Sequence, residues 1–195
     1  MLKKLVFSAL LLGVGGYACY FIFLQKKSSK IDVDYSEKIE SGQWIAFSPQ
    51  MEKFVAFFPV SPKKVKKEIA ISEGTTHIEY NEYQCSTTEG GNYSISCIAL
   101  PNVLLKWGST SILNGAFKLL LKSLNQKVEI MGKQSSLFKA FPALDYEHYT
   151  QESGTSGMLV LVDKILYKIE VSYPLNDRTK RLDELKKFID LFELA

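Results

Sequence analysis

The chain has 195 residues, of which 24 are Lys or Arg, 21 are Asp or Glu and 46% are hydrophobic. Five of the cationic residues flank an N-terminal apolar run and no acidic residue precedes Asp32, so the remaining chain has 19 cationic residues against 21 acidic ones. This balance excludes nucleic-acid binding by phosphate neutralisation, which needs an excess of positive charge. The length after the apolar run suits one globular domain.

The N-terminal apolar run, residues 5–24, contains twenty residues without a charge. A helix that spans a bilayer needs about twenty predominantly apolar residues. The run follows a short basic tail at residues 1–4 and is followed by Lys26-Lys27. We therefore predict that it is an uncleaved transmembrane signal anchor.

Two other fates of this run stay open. A signal peptide would be cleaved near Ala18, after the small residues that end its apolar core. Cys19 stands where a bacterial lipoprotein carries its acylated cysteine, although Gly16 replaces the usual leucine before it. Either event would change how the domain is held at the membrane.

Residues 25–42 are polar and charged, and we predict that they link the membrane to a globular domain at residues 43–195. Lysines lie on both sides of the apolar run, so the positive-inside rule does not decide its orientation. The short basic tail is typical of the start of a signal peptide. We expect a single-pass protein whose domain lies on the exported, periplasmic or extracytoplasmic side of a bacterial membrane.

The first half of the domain is predicted to be a series of strands. Residues 44–47 and 54–58 are aromatic and lie around prolines, which indicates a hairpin or two edge strands. Four lysines within residues 63–67 are expected in a solvated turn that leads into an edge strand, where lysine blocks aggregation. Three further strands are predicted at residues 69–71, 75–85 and 93–100.

A helix is predicted at residues 109–124, because its apolar residues recur every three or four positions. More strands follow at residues 127–131, within 132–142, and at 144–151, 157–163 and 165–173. Residues 153–157 are expected to form a mobile hairpin turn. A terminal helix has an apolar stripe that includes Phe188 and Phe192, with Arg181 on its solvated side. This order predicts an α+β domain with an antiparallel sheet and helices packed on it.

Cys85 and Cys97 lie on neighbouring predicted strands. In an oxidising compartment they would form a disulfide if their Cα atoms lay within about 7 Å. A two-residue turn at Gly90-Gly91 would place Cys97 opposite Gln84, so a bridge needs a longer loop or a bulge. A disulfide and two free thiols therefore both stay open.

Four segments resemble the PsbP/Mog1-like domain. They are Trp-x-x-Phe-Ser-Pro at residues 44–49, Phe-x-x-x-Phe-Pro at 54–59, Leu-Tyr-x-x-x-Val at 166–171 and Phe-Ile-Asp-Leu-Phe-Glu-Leu at 188–194. The resemblance covers about residues 43–194 and implies an antiparallel sheet sandwiched between helices. Exported bacterial members of this family are often anchored, and others assist photosystem assembly or bind a small GTPase. Their functional motifs find no residue-by-residue match here.

The chemical candidates are few, because His77 and His148 are the chain's only histidines. With Glu79 and Glu147 they would bind a divalent cation if their two strands were adjacent. Neighbouring residues on a strand point to opposite faces, so Glu147 and His148 would diverge. Polar residues on the solvated side of a sheet explain the same pattern. No Gly-x-Ser-x-Gly nucleophile motif occurs, and no cofactor is predicted.

These observations favour a membrane-tethered, non-enzymatic binding or assembly-accessory domain. Its expected partners are the membrane, through the N-terminal helix, and a protein that the sequence does not identify. The alternative is a small-molecule or metal-binding, even hydrolytic, domain that uses His77, Glu79, Glu147 and His148.

Overall fold

A computed structural model describes residues 44–72 and 76–194. The predicted tail, anchor and linker at residues 1–4, 5–24 and 25–42 lie outside this part of the chain. Within it, no helix combines the length and the apolar character that crossing a membrane requires.

Ten strands and three α-helices make up the described chain. The strands are β1 (Ile45–Phe47), β2 (Phe54–Phe58), β3 (Lys63–Ser72), β4 (Thr76–Ser86), β5 (Asn92–Ala99), β6 (Glu129–Phe138), β7 (Phe141–Tyr149), β8 (Ser153–Val162), β9 (Ile165–Pro174) and β10 (Glu193–Leu194). The helices are α1 (Asn102–Leu105), α2 (Ser109–Ser123) and α3 (Arg178–Asp190), the last preceded by a 3₁₀ turn at Leu175–Asp177.

Seven strands form one antiparallel sheet in the spatial order β3-β4-β5-β9-β8-β7-β6. Helix α2 packs on β7 and β8 from one side, which we call the α2 face. Helix α3 packs on β9 and β8 from the other side, the α3 face, together with a small sheet in the order β1-β2-β10. The predicted α+β class, a sheet with helices on it, is therefore confirmed.

The core of the α3 face is aromatic, and it consists largely of the residues that carried the family resemblance. The rings of Phe188 and Phe58 lie 5.1 Å apart between centroids, and those of Phe192 and Phe54 lie 5.4 Å apart. All four side chains are fully buried. Edge-to-face aromatic pairs contribute roughly 0.5–1.5 kcal/mol beyond their burial, so this cluster fixes α3 and the small sheet against the large one.

The predicted helix at residues 109–124 and the opening pair of strands are confirmed. Residues 129–138, however, form the single strand β6 where two strands are predicted. β6 and β7 are joined by a two-residue turn in which Lys139 has φ 47° and Ala140 has φ 72°. Positive φ at both positions is the geometry of a type I′ turn, which normally selects Asn or Gly. The turn therefore has no recognisable signal in the sequence.

The expected hairpin turn at residues 153–157 is wrong, because these residues begin β8 and Gly154 to Gly157 are buried. A Cβ atom at Gly154 would lie 2.5 Å from the ring of Tyr173, and one at Gly157 would lie 2.7 Å from the hydroxyl oxygen of Tyr146. The glycines thus leave room for tyrosines that cross the strand. The Gly/Ser-rich composition alone predicts a turn, because the tyrosines that require these glycines are distant in sequence.

Two further expectations need correction. Arg181 is not on the solvated side of α3, since it is 1% exposed and donates to the backbone carbonyl of Glu89 (2.7 Å) and to Glu184 (2.6 Å).

The lysines expected in a turn at residues 63–67 lie inside β3, although β3 is an edge strand as predicted. The short elements α1 and β10 were not predicted, because so few residues show no periodicity.

Candidate functional site

The four residues of the metal hypothesis lie on different parts of the sheet. Three strands separate β4, with His77 and Glu79, from β7, with Glu147 and His148, a distance of roughly 19 Å at the usual strand spacing. His77 is exposed and pairs with Glu68 on β3 (3.0 Å). In residues 44–72 and 76–194, no three His, Cys, Asp or Glu side chains form a group that would hold a metal ion.

His148 is buried on the α2 face, opposite to Glu147, as the strand alternation predicted. Its side chain is 2% exposed and stacks on the ring of Tyr146, with the ring centroids 6.1 Å apart. Burial lowers the pKa of His148, which keeps the imidazole neutral. Neither ring nitrogen has a hydrogen-bond partner within the described chain. His148 therefore acts as a core side chain.

Cys85 and Cys97 are free, buried thiols. The β4–β5 loop contains five residues and not the two of a Gly90-Gly91 turn, so Cys97 lies opposite Asn81 and Cys85 opposite Tyr93. Four positions along the strands separate the two thiols, roughly 13 Å, which is too far for a disulfide. Burial raises the pKa of Cys85 to about 12 and also raises that of Cys97. Neither thiol is a nucleophile at neutral pH.

A cleft of about 430 Å³ opens on the α3 face, over β6, β7 and β8. It exists because α3 packs mainly on β9, β8 and β2, which leaves the outer strands of this face open. Its floor includes Asp145 and Met158, and its wall is the side of α3 with Leu182, Leu185 and Ile189. Lys186 and Asp190 lie at the rim. The cleft thus combines an apolar wall with a few polar groups, as binding sites do.

Glu147 lies at one end of this cleft and joins it to the start of α3. Nε and one terminal nitrogen of Arg178 each donate to its carboxylate at 2.8 Å. The hydroxyls of Tyr149 and Tyr173 donate to Oε1, both at 3.0 Å. Arg178 holds the pKa of Glu147 below its ordinary value, whereas burial raises the pKa of Tyr173 to about 12 and keeps it a donor. Oε1 accepts three of these four bonds and Oε2 accepts one, and the ion pair with Arg178 favours the ionised form, which makes this carboxylate a weak general base.

A second group of charged residues, which sequence reasoning missed, lies on the α2 face. Lys168 forms ion pairs with Glu170 on the same strand and with Glu82 on β4. The hydroxyl of Ser96 donates to Glu82 (2.8 Å), and that of Tyr146 donates across β8 to Glu170 (2.8 Å). The sequence pattern that could have revealed this group lies in β9, where the charged residues Lys168 and Glu170 alternate with buried apolar residues.

This charged group is a closed structural network. Burial alone would lower the pKa of Lys168, but Glu170 and Glu82 raise it above its ordinary value. Burial would likewise raise the pKa of Glu170, yet the ammonium of Lys168 holds it below the ordinary value. The lysine therefore stays protonated and does not act as a nucleophile. The cleft on the α3 face is a cavity beside partly exposed side chains, and it is therefore the candidate binding site.

Comparison with known proteins identifies the fold. No protein-family model and no curated protein matches this sequence. The solution structure of cyanobacterial PsbP (CyanoP) from Synechocystis sp. PCC 6803 matches with a TM-score of 0.56 and 11% sequence identity, over 84% of this chain and 99% of that chain. Another solved structure, PA94 from Pseudomonas aeruginosa, a protein of unknown function, matches with a TM-score of 0.36 and 7% identity, over 75% and 93% of the two chains. The likeness to CyanoP shows that this chain has a PsbP-like fold, as its motifs predicted.

Proposed function

We propose that this chain, with its PsbP-like fold, is a non-enzymatic, membrane-tethered accessory domain that binds a segment of a protein partner in the cleft beside α3. The observation that carries the proposal is the cleft itself, an open part of the α3 face with an apolar wall of Leu182, Leu185 and Ile189. Leu182 and Ile189 remain partly exposed there, and apolar side chains left accessible in a concave surface are typical of binding sites.

The chemistry of the titratable groups supports a binding role over a catalytic one. Catalytic groups need a pKa matched to their task and room for a substrate. Glu147 accepts hydrogen bonds from Arg178 and two tyrosines, and Arg178 lowers its pKa. Lys168 is held between two carboxylates. Burial raises the pKa values of both described thiols.

The membrane tether and the exported location rest on the sequence. Residues 5–24 have the length and composition of a signal anchor, and residues 25–42 provide a polar linker. In this arrangement the domain searches only the volume within reach of the linker, so even a weak cleft would bind a membrane-bound partner at a high effective concentration.

Site-specific photocrosslinking in native membranes tests this function. The full-length protein carries p-benzoylphenylalanine in place of Lys186 at the cleft rim, or in place of Lys118 on α2 as a matched control. Both lysines are exposed on helices, on opposite faces of the sheet. We expect one discrete adduct from position 186 and none from position 118.

A further change separates cleft binding from chance contact. Leu182→Lys places a charge in the apolar wall and should abolish the adduct from position 186, because burying an unpaired ammonium costs several kcal/mol. No adduct from position 186, or an adduct that Leu182→Lys leaves unchanged, would show that the cleft is not the binding site.

A further inference from the structure

The two edges of the seven-stranded sheet differ in how they meet solvent. β3 carries a row of four lysines, the feature with which natural edge strands avoid pairing with another chain. β6, at the other edge, has two charged residues in ten, Glu129 and Lys133. Lys133 turns over the ring of Phe117 on the α2 face, 5.5 Å from its centroid. The outer edge of β6 therefore has little protection by charge.

β6 also offers unpaired backbone groups. Within the described residues it pairs with β7 alone, and most of its side chains are exposed, Leu137 by 72%. In an antiparallel pair, the N–H and C=O groups of alternate residues point away from the partner strand. A bulge lies between Ile130 and Gly132, so the regular edge runs from Gly132 to Phe138. An extended chain is the ligand that satisfies such a row of donors and acceptors.

The free edge and the cleft adjoin each other. Gly132 and Gln134 of β6 line the cleft, and a Cβ atom at Gly132 would have its nearest neighbour at 4.0 Å. A side chain from a strand beside β6 can therefore pass over Gly132 toward α3. The sheet already contains such a crossing, since Tyr146 passes over Gly157 to reach Glu170.

A second copy of this chain fits this edge less well than another protein does. If the β6 strands of two copies paired antiparallel, each copy would present the α3-face side chains of its β6 to the cleft of the other. Those side chains are Gly132, Gln134 and Ser136, because Phe138, the next one along the strand, is buried in the core of its own copy. Small and polar side chains leave an apolar cleft of about 430 Å³ unfilled. A segment with bulky apolar residues at alternate positions both pairs with the edge and fills the cleft.

We propose that β6 accepts an extended segment of a protein partner as an eighth strand, and that alternate apolar side chains of that segment enter the cleft beside α3. The proposal rests on the proposed function and adds its binding mode. Backbone pairing supplies affinity that depends little on sequence, and the cleft selects large apolar residues at every second position.

Peptide selection with hydrogen exchange tests the binding mode. A random dodecapeptide phage library is panned on the full chain in lipid nanodiscs, and the most enriched peptide is labelled with fluorescein for anisotropy titration. We expect apolar residues at every second position of the enriched peptides. Saturation with the peptide should slow hydrogen exchange at least tenfold for amides between Gly132 and Phe138, and leave β3 unchanged.

Two chemical controls separate strand pairing from pocket binding. Two peptides are compared, one N-methylated at the odd residues and one at the even residues, because alternate N–H groups of a strand point to opposite sides. Methylation of the set that faces β6 should raise the Kd at least tenfold, and methylation of the set that faces solvent should change it little. Leu182→Lys should raise the Kd at least tenfold, whereas Lys66→Ser on the opposite edge should leave it within twofold. The N-methylation test does not alter the protein and is independent of its folding.

Three results would overturn this mode of binding. They are a library without an enriched peptide, binding that no N-methylation pattern weakens, and protection of β6 that rises with protein concentration in the absence of peptide. The last would mean that a second copy occupies the edge. If position 186 still cross-links to a partner in any of these cases, the proposed function stands and only the strand addition fails.

Discussion

Glu147 and His148 are adjacent in sequence, yet the sheet gives them opposite roles. Glu147 faces α3 and is engaged by Arg178 and two tyrosines, whereas His148 lies buried on the α2 face. The period of two along a strand predicts that they diverge. It does not predict that Arg178 meets Glu147, because 31 residues separate them in sequence.

Glu147→Gln should lower the melting temperature by a few degrees at pH 7, because it removes the charge that Arg178 and the tyrosines stabilise. The pKa of Glu147 is lowered in the folded chain. Its contribution is therefore complete above the ordinary carboxyl pKa of about 4.3 and is lost as the pH falls through the folded-state value. Thermal melts of the wild type and the variant should differ at pH 7, and the difference should shrink progressively as the pH falls below about 4.

The matched control for this prediction is Glu152→Gln, since Glu152 is exposed in the β7–β8 turn. This change should shift the melting temperature by much less than Glu147→Gln at every pH. A difference between Glu147→Gln and the wild type that persists unchanged at pH 3 would contradict the assigned charge pairing.

Among the secondary-structure elements, β8 is a strand whose first half has a composition that does not favour strands. Its first half, Ser-Gly-Thr-Ser-Gly, has low strand propensity, yet Gly154 to Gly157 are buried between β7 and β9. Tyr173 and Tyr146 pack where side chains at Gly154 and Gly157 would lie. Tertiary packing therefore overrides local preference.

Gly157→Ala should destabilise the domain by about 1–3 kcal/mol, as overpacking of a buried site does. Its Cβ would lie 2.6 Å from the backbone oxygen of Ile169 and 2.7 Å from the hydroxyl oxygen of Tyr146. Gly115→Ala is the control, because a Cβ there meets nothing within 4 Å in the interior of α2. That change should stabilise by about 0.5–1 kcal/mol. Urea denaturation measures both, and equal effects would refute the packing at Gly157.

Ala140→Gly should raise the free energy of unfolding by about 0.5 kcal/mol, because relief of the left-handed conformation exceeds the entropic cost of glycine. Ala140 has φ 72° in the β6–β7 turn. The same change at Ala46, an exposed residue in β1, should instead lower stability. Chemical denaturation of the two variants should therefore give shifts of opposite sign, and a loss of stability at both sites would contradict the turn geometry.

At the scale of the whole molecule, the two faces of the sheet are covered to different extents. On the α3 face, the small sheet and α3 cover the central strands and leave a cleft over β6 to β8. The two edges differ as well, since β3 is rich in lysine and β6 is not. The least protected edge and the open cleft meet along β6, which makes this side of the molecule the expected binding surface.

The exported location can be measured with a new thiol, because the native ones in the domain are buried. Glu152→Cys in a Cys19→Ser background places one exposed thiol in the β7–β8 turn. A membrane-impermeant maleimide should label it in spheroplasts without detergent. The parent Cys19→Ser protein should stay unlabelled until it is denatured. Labelling at position 152 only after permeabilisation would place the domain in the cytoplasm.

Periodicity and the aromatic motifs are sufficient to predict the strongly patterned elements and the PsbP-like fold. The aromatic motifs and apolar repeats that predicted α2, α3 and most strands are the residues that build the core, such as Phe54 and Phe188. Three features become visible only in the folded chain: the strand order that separates His77 from His148, the pair of Glu147 with Arg178, and the cleft. The physical reason is that periodicity reports which face of an element is buried, whereas strand order and helix placement depend on contacts between residues far apart in sequence.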